Sequence, residues 1–386
     1  MPNFYTRFPL FLFLLIFPKF LSAQLDPVTV SIPMSDGKML AGDLYLPNET
    51  DAFPTILIQT PYNKNTFLLS GLPLGVDYDI ESSDYAFLIV DWRCYFASLP
   101  ACTGSLSNGE DGYDVVEWIA QQNWSDGKVG TWGPSALGTV QFQTAREQPP
   151  HLVCAVPIVV SPQTSYHKFF PGGSLRVDYS SFVGTYFGFQ SLITANPYYN
   201  LIWTITENGS MYPAEIDIPM LIIGGWYDHN TDDCLSMFDT LRSTSTPTVR
   251  EQHRILMGPW SHSRVGNSEQ GELSFPNSDG YADLRAKAFF DYHLREVNND
   301  WENSPFVEYY QMGENNWATA AQWPPQGLSM QQFYLREDFS LQSEPPAFAE
   351  QSFSYLYDPT DPSPSIGGKL FNANLFDDNV GPLDQG

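Results

Sequence analysis

Six uninterrupted apolar runs punctuate the chain: TILIQT (Thr55–Thr60), AFLIVD (Ala86–Asp91), VGTWG (Val129–Gly133), LVCAVPIVV (Leu152–Val160), MLIIGGW (Met220–Trp226) and RILMGPW (Arg254–Trp260). None alternates polar with apolar, so each predicts a strand covered on both faces, the signature of a parallel sheet. Helical spacing falls between them. Asp111–Gln122 places Val115, Trp118 and Ile119 on one face, and Ala136–Glu147 follows a strand directly. Strand and helix in alternation predict an α/β architecture. The opening segment Val28–Pro47 instead alternates about a turn at Ser35–Gly37 and predicts an antiparallel hairpin. Residues 164–212 break the rhythm with twelve aromatics in 49 positions and a Pro171-Gly172-Gly173 turn, and lie where an inserted cap would sit. Beyond about residue 330 the texture changes again, to FYL (Phe333–Leu335), FSYLYDPTDPSPSIGG (Phe353–Gly368) and a Gly/Asp/Asn-rich end, the opening of a β-domain. The expected organisation is a first core part over 24–163, a cap over 164–212, a second core part over 213–330 and an incomplete β-domain over 331–386.

Residues 1–23 read as a secretory signal peptide: Arg7, the apolar run Phe8–Phe17 and the small pair Ser22–Ala23 before cleavage. That run is shorter than the roughly 20 residues a membrane helix needs. The expected destination is the exterior or the periplasm, with no membrane attachment after cleavage. An exported chain can carry disulfides, and Cys94 and Cys102, eight apart in one loop-like stretch, are a candidate bridge; Cys154 in an apolar run reads as a buried thiol. With 18 basic against 44 acidic side chains, a net charge of −26, the surface repels phosphate backbones, and nucleic-acid binding is excluded.

The chemistry gathers on loops after strands. VGTWGPSALG (Val129–Gly138) runs strand, tight turn, helix around Ser135, the context of a nucleophile elbow. Gly133 and Gly138 keep side chains out of the turn, and the helix start offers backbone N–H groups to a developing oxyanion. A serine hydroxyl needs a base. Asp228 follows the Met220–Trp226 run and His262 follows the Arg254–Trp260 run, giving the order Ser, Asp, His of α/β-hydrolases. His151, His167, His229, His253 and His293 lack that setting, and Asp232 and Asp233 are the alternative acids. Asp228-x-Asn230-x-Asp232 resembles the start of a calcium loop, but Asp233 stands where that loop needs glycine, and no zinc spacing occurs. No metal or cofactor is expected.

With these residues in place, the chain resembles the serine hydrolases of the cocaine esterase and X-prolyl dipeptidyl-peptidase (peptidase S15) family, which includes the α-amino acid ester hydrolases. PMSDGKMLAGDLYLP, TPYNK (Thr60–Lys64), DWRCYFAS (Asp91–Ser98), NWSDGKVGTWGPSALG, GGWYD (Gly224–Asp228), GPWSHS (Gly258–Ser263) and YLYDPTDPSPSIGG carry the likeness across most of residues 28–386. It implies an α/β-hydrolase fold with Ser135 as nucleophile, His262 as general base and Asp228 as orienting acid. It also implies an oxyanion hole made by the Tyr62 hydroxyl and the Ala136 N–H. Departures are Ala136 where the family carries an aromatic, Cys94 where it carries glycine, a short cap, and a C-terminal β-sandwich (a jelly roll) entered only at its opening strands. The expected function is cleavage of a small ester or amide, or a short peptide, through an acyl-enzyme. The dipeptidyl-peptidase alternative needs a carboxylate for the substrate's free amine. His229 and Asn230 follow the triad acid where amino-acid ester hydrolases place carboxylates, leaving Asp178 or Glu207 of the cap. A non-catalytic binding protein on the same fold is the remote alternative.

Overall fold

The computed structural model describes residues 25–160 and 162–346, with 354, 356, 358–361 and 381–384 of the tail; the leader read from residues 1–23 and most of Phe353–Gly368 lie outside them. β1 (Val28–Pro33) and β2 (Met39–Tyr45) form the expected hairpin, with Val28 opposite Leu44 and Pro33 opposite Met39. The six apolar runs become β3 (Phe53–Thr60), β4 (Ala86–Asp91), β5 (Ser125–Pro134), β6 (Leu152–Ile158), β7 (Leu221–Gly225) and β8 (Arg254–Gly258). Beyond a two-residue hairpin of β9 (Glu269–Gln270) and β10 (Leu273–Ser274), β11 (Val307–Gln311) and β12 (Asn316–Ala320) complete one ten-stranded sheet. Its order is β1-β2-β4-β3-β5-β6-β7-β8-β11-β12, parallel from β4 to β11 and antiparallel at both ends.

The period of two along these strands sorts side chains onto two layers. Leu57, Leu88, Val90, Ala155, Ile222 and Met257 face α2 (Asn108–Ala120), α3 (Ala136–Arg146) and α8 (Thr231–Thr244). Ile56, Ile58, Phe87, Ile89, Val156 and Leu256 face α9 (Tyr281–Arg295) with its buried Phe289, Phe290 and Leu294. A short α1 (Phe67–Ser70) follows β3. Between β6 and β7 the aromatic-rich stretch folds as four helices, α4 (Tyr166–Phe169), α5 (Val177–Tyr186), α6 (Gln190–Ala195) and α7 (Leu201–Ser210). They enclose a small core of their own, Tyr166, Phe169, Phe170, Tyr179, Ile193 and Trp203. The last elements, β13 (Tyr334–Leu335) and β14 (Leu341–Gln342), pair as a two-residue hairpin. Cys94 and Cys102 are joined in a disulfide, whereas Cys154 and Cys234 are buried free thiols.

Two histidines outside the site are held neutral by the core. Ser245 donates its hydroxyl hydrogen to Leu241 O at 2.6 Å, so His253 Nε2 must be the donor in its 2.9 Å contact with Ser245 Oγ. His253 Nδ1 then accepts from Met220 N–H. Burial, with Arg242 and Arg254 adding to it, brings His253 down to about 3, and burial with Arg254 brings His293 down to about 4. Both titrate near 6.5 once unfolded, so below that pH the unfolded chain binds protons the folded chain refuses. Stability is therefore expected to fall from pH 6.5 toward 4, by about 1.4 kcal/mol per pH unit for each histidine. Urea midpoints at pH 7, 6 and 5 check this; midpoints that stay level would refute it.

Candidate active site

The turn from β5 into α3 carries Ser135 with φ 57° and ψ −119°, a backbone conformation that side chains rarely tolerate. Ser135 N–H donates to Ile158 O at 2.9 Å, and Ser135 O accepts from Gly138 and Thr139 N–H, so the strained residue is held on both sides. A Cβ on Gly133 would come within 2.5 Å of Leu137 Cβ, and one on Gly138 within 3.1 Å of Gly133 O, which is why both positions need glycine. The Ala136 N–H opens α3 and has no acceptor inside the helix.

His262 and Asp228 arrive from the loops after β8 and β7. His262 Nδ1 lies 2.7 Å from Asp228 Oδ1, and Asn230 N–H donates to Asp228 Oδ2 at 3.1 Å. Asp228 is fully buried, which disfavours its charged form, yet His262 and His229 beside it outweigh burial and hold the carboxyl well below the usual range. A carboxylate facing Nδ1 fixes the tautomer with hydrogen there and leaves Nε2 as the basic nitrogen.

A cavity of about 280 Å³ opens beside Ser135, lined by Tyr62, Ala136 and His262 from the core and by Phe169, Tyr179 and Phe187 from the helical insertion. A second, mostly apolar cavity of about 260 Å³ meets Ser135, Tyr62 and His262 from the other side, between Phe67, Trp132 and Leu137. Burial raises the Tyr62 hydroxyl pKa, the neighbouring Tyr186 adds to the rise, and a hydrogen bond with Ser135 opposes it, so the phenol stays protonated and able to donate. Its loop is anchored from below: Lys64 N–H donates to Asp91 Oδ1 at 2.7 Å and Lys64 Nζ pairs with Asp43 at 2.7 Å. From above, the Tyr186 hydroxyl of α5 donates to Pro61 O at 2.6 Å.

Ser135, His262, Tyr62 and Ala136 thus share one cavity, with Asp228 behind His262. Neither alternative acid, Asp232 or Asp233, lines that cavity. His229, set aside in the sequence, belongs to the site: its Nδ1 lies 3.1 Å from Asp228 Oδ1, its ring 4.4 Å from that of His262, and burial with His262 nearby takes it down to about 3. Adjacency to Asp228 was the available signal. Asp228, His229 and His262 are also the one potential metal-ligand group among the described residues. Their donor set argues against an ion, because the carboxylate oxygen and His262 Nδ1 already satisfy each other. The calcium-like spacing fails similarly, since Asn230 Nδ2 donates to Val159 O and its Oδ1 accepts from Lys168 Nζ.

A mostly parallel sheet covered by helices on both faces, with serine, acid and histidine on loops at strand ends, defines the α/β-hydrolase fold. Residues 36–185 and 180–264 match the family described as X-Pro dipeptidyl-peptidase (S15 family), and residues 299–373 match the X-Pro dipeptidyl-peptidase C-terminal non-catalytic domain. The chain belongs to the S15 family and is a serine hydrolase. Cocaine esterase of Rhodococcus sp. (strain MB1 Bresler) is 28% identical over 422 aligned residues, covering 92% of this chain and 71% of that protein. Among solved structures, an aminopeptidase from a marine sediment archaeon, Thaumarchaeota archaeon, superimposes with TM-score 0.69 at 20% identity over 94% of this chain and 68% of its own. A CocE/NonD family hydrolase from Staphylococcus aureus gives 0.61 at 23% over 82% and 59%. No helix among the described residues is long and apolar enough to cross a membrane.

Proposed function

We propose that the protein is an exported hydrolase that cleaves an ester or amide acyl bond through an acyl-enzyme. Ser135 Oγ attacks the carbonyl carbon while His262 Nε2 takes its proton. The tetrahedral oxyanion receives hydrogen bonds from the Tyr62 hydroxyl and the Ala136 N–H. Collapse expels the alcohol or amine with the proton from His262, and water repeats the sequence to release the acid and restore Ser135. Asp228 keeps His262 in the working tautomer and offsets the imidazolium charge. The observation that carries this reading is the 2.7 Å His262–Asp228 bond behind a serine held at positive φ at a helix start. Residues 164–212 act as the cap. Export is supported by the Cys94–Cys102 bridge, a feature of oxidising compartments.

The esterase or acylase branch fits better than the aminopeptidase branch. Glu207 is spent on Tyr166 N–H and the Tyr199 hydroxyl, each at 2.8 Å, and Asp178 lies off the cavity, 3.9 Å from Arg176. No carboxylate among the described lining residues is placed to hold a free amine. A fluorophosphonate probe should label the folded protein, and a panel of p-nitrophenyl esters should turn over faster than Gly-Pro and Ala-Pro anilides. Absence of labelling would reject the hydrolase reading, and faster anilide cleavage would restore the aminopeptidase. Tyr62→Phe should lower kcat about 100-fold with little change in KM, because its hydroxyl bonds an oxyanion present only near the transition state. An effect confined to KM would make Tyr62 part of the pocket wall.

A further inference from the structure

The cavity beside Ser135 is lined by aromatic and polar side chains in comparable measure, and its only Lys, Arg, Asp or Glu among the described lining residues is Lys168 of α4. The Lys168 side chain is only 11% exposed. Its Nζ donates to Asn230 Oδ1 at 2.8 Å. Asn230 cannot turn to offer anything else, since its Nδ2 is held by Val159 O at 2.8 Å and its backbone N–H by Asp228 Oδ2 at 3.1 Å. The ring of Tyr179 lies 5.6 Å from the ammonium. The nearest acid, Asp233, stands 3.7 Å away, beyond hydrogen-bond distance, with a side chain one third exposed.

An ammonium carries three N–H donors, and a mostly buried one is costly to keep unless anions or acceptors meet it. Here one neutral amide and the partly exposed Asp233, an ion pair without a hydrogen bond, do so, inside the space a substrate must fill. Overall charge cannot account for anion capture, because at −26 the long-range field repels anions. Any such preference has to be local. Resting on the hydrolase reading above, we propose that Lys168 receives a carboxylate carried by the substrate, so that the preferred substrates are esters or amides bearing a free carboxylate on the acyl group or on the leaving group. No carboxylate among the described lining residues offers an ammonium-bearing acyl group the same reception.

The test compares p-nitrophenyl hemiglutarate with its neutral twin, p-nitrophenyl methyl glutarate. A second pair, 4-acetoxybenzoate and its methyl ester, places the carboxylate on the leaving group instead. In the wild type, kcat/KM should favour the carboxylate in one of the two pairs by about tenfold, the size expected of a charge-assisted hydrogen bond. Lys168→Met should bring that ratio toward one, Lys168→Arg should keep it above one, and Lys168→Glu should turn it below one and raise turnover of the 4-aminobutyryl ester relative to the hemiglutarate. Thermal melts establish that each variant is folded. Equal rates within both pairs in the wild type, or an unchanged ratio in folded Lys168→Met, would overturn the assignment while leaving the hydrolase standing. No turnover of any ester together with no fluorophosphonate labelling would remove the hydrolase reading and this inference with it.

Discussion

Ser135→Ala is expected to abolish both ester hydrolysis and fluorophosphonate labelling while leaving the fold in place. The mutated hydroxyl is the proposed bond-forming atom, and triad serines typically account for several orders of magnitude in kcat, on the order of 10⁶. The backbone at this position asks little of the side chain beyond smallness, because φ 57° is imposed by the β5–α3 turn and by the Ile158 carbonyl that receives the Ser135 N–H. Alanine therefore keeps the turn, and circular dichroism should match the wild type. Retention of more than a tenth of the wild-type rate would remove Ser135 from the nucleophile's role.

Asp228→Asn carries the second large effect, a fall in kcat of roughly 10⁴ with the protein still folded. An amide nitrogen facing His262 would demand a lone pair at Nδ1, moving the hydrogen to Nε2, where a base must have none. It would also remove the buried negative charge that offsets the imidazolium. Asp232→Asn and Asp233→Asn, which alter the first turn of α8 outside the cavity, should stay within a few-fold of the wild type. Rates that collapse in either of those and hold in Asp228→Asn would transfer the acid's role to α8.

The central sheet could be read because strands covered on both sides leave unbroken apolar runs, and β3 to β8 all lie inside the sheet. β11 and β12 went unread for the opposite reason: VEYYQ and NWATA mix polar with aromatic positions, as strands near an edge do. The start of α2 was placed three residues late, at Asp111 rather than Asn108. Gly109 and Gly112 mask its helical character, although the Ser107–Glu110 capping box marks the true start. Those glycines let α3 approach, since a Cβ on Gly112 would sit 2.0 Å from Thr144 Oγ1. Ser135, Asp228 and His262, which the structure brings together, could be picked out because each follows the end of a strand. Lys168 was not, because it meets Asn230 across 62 residues of chain, a contact made by folding alone.

The hydrogen bond from Tyr186 to Pro61 ties the helical insertion to the loop that carries Tyr62. Tyr186 also packs on Tyr62 with ring centroids 5.6 Å apart and on Tyr95 at 5.9 Å. On the proposed mechanism, access to Ser135 and the placement of Tyr62 would thereby be coupled through α5. A bulky substrate that kept α5 from seating would loosen the tyrosine proposed to stabilise its transition state. On the proposed mechanism such a substrate would be discriminated against in the chemical step after it has bound, lowering kcat more than it raises KM.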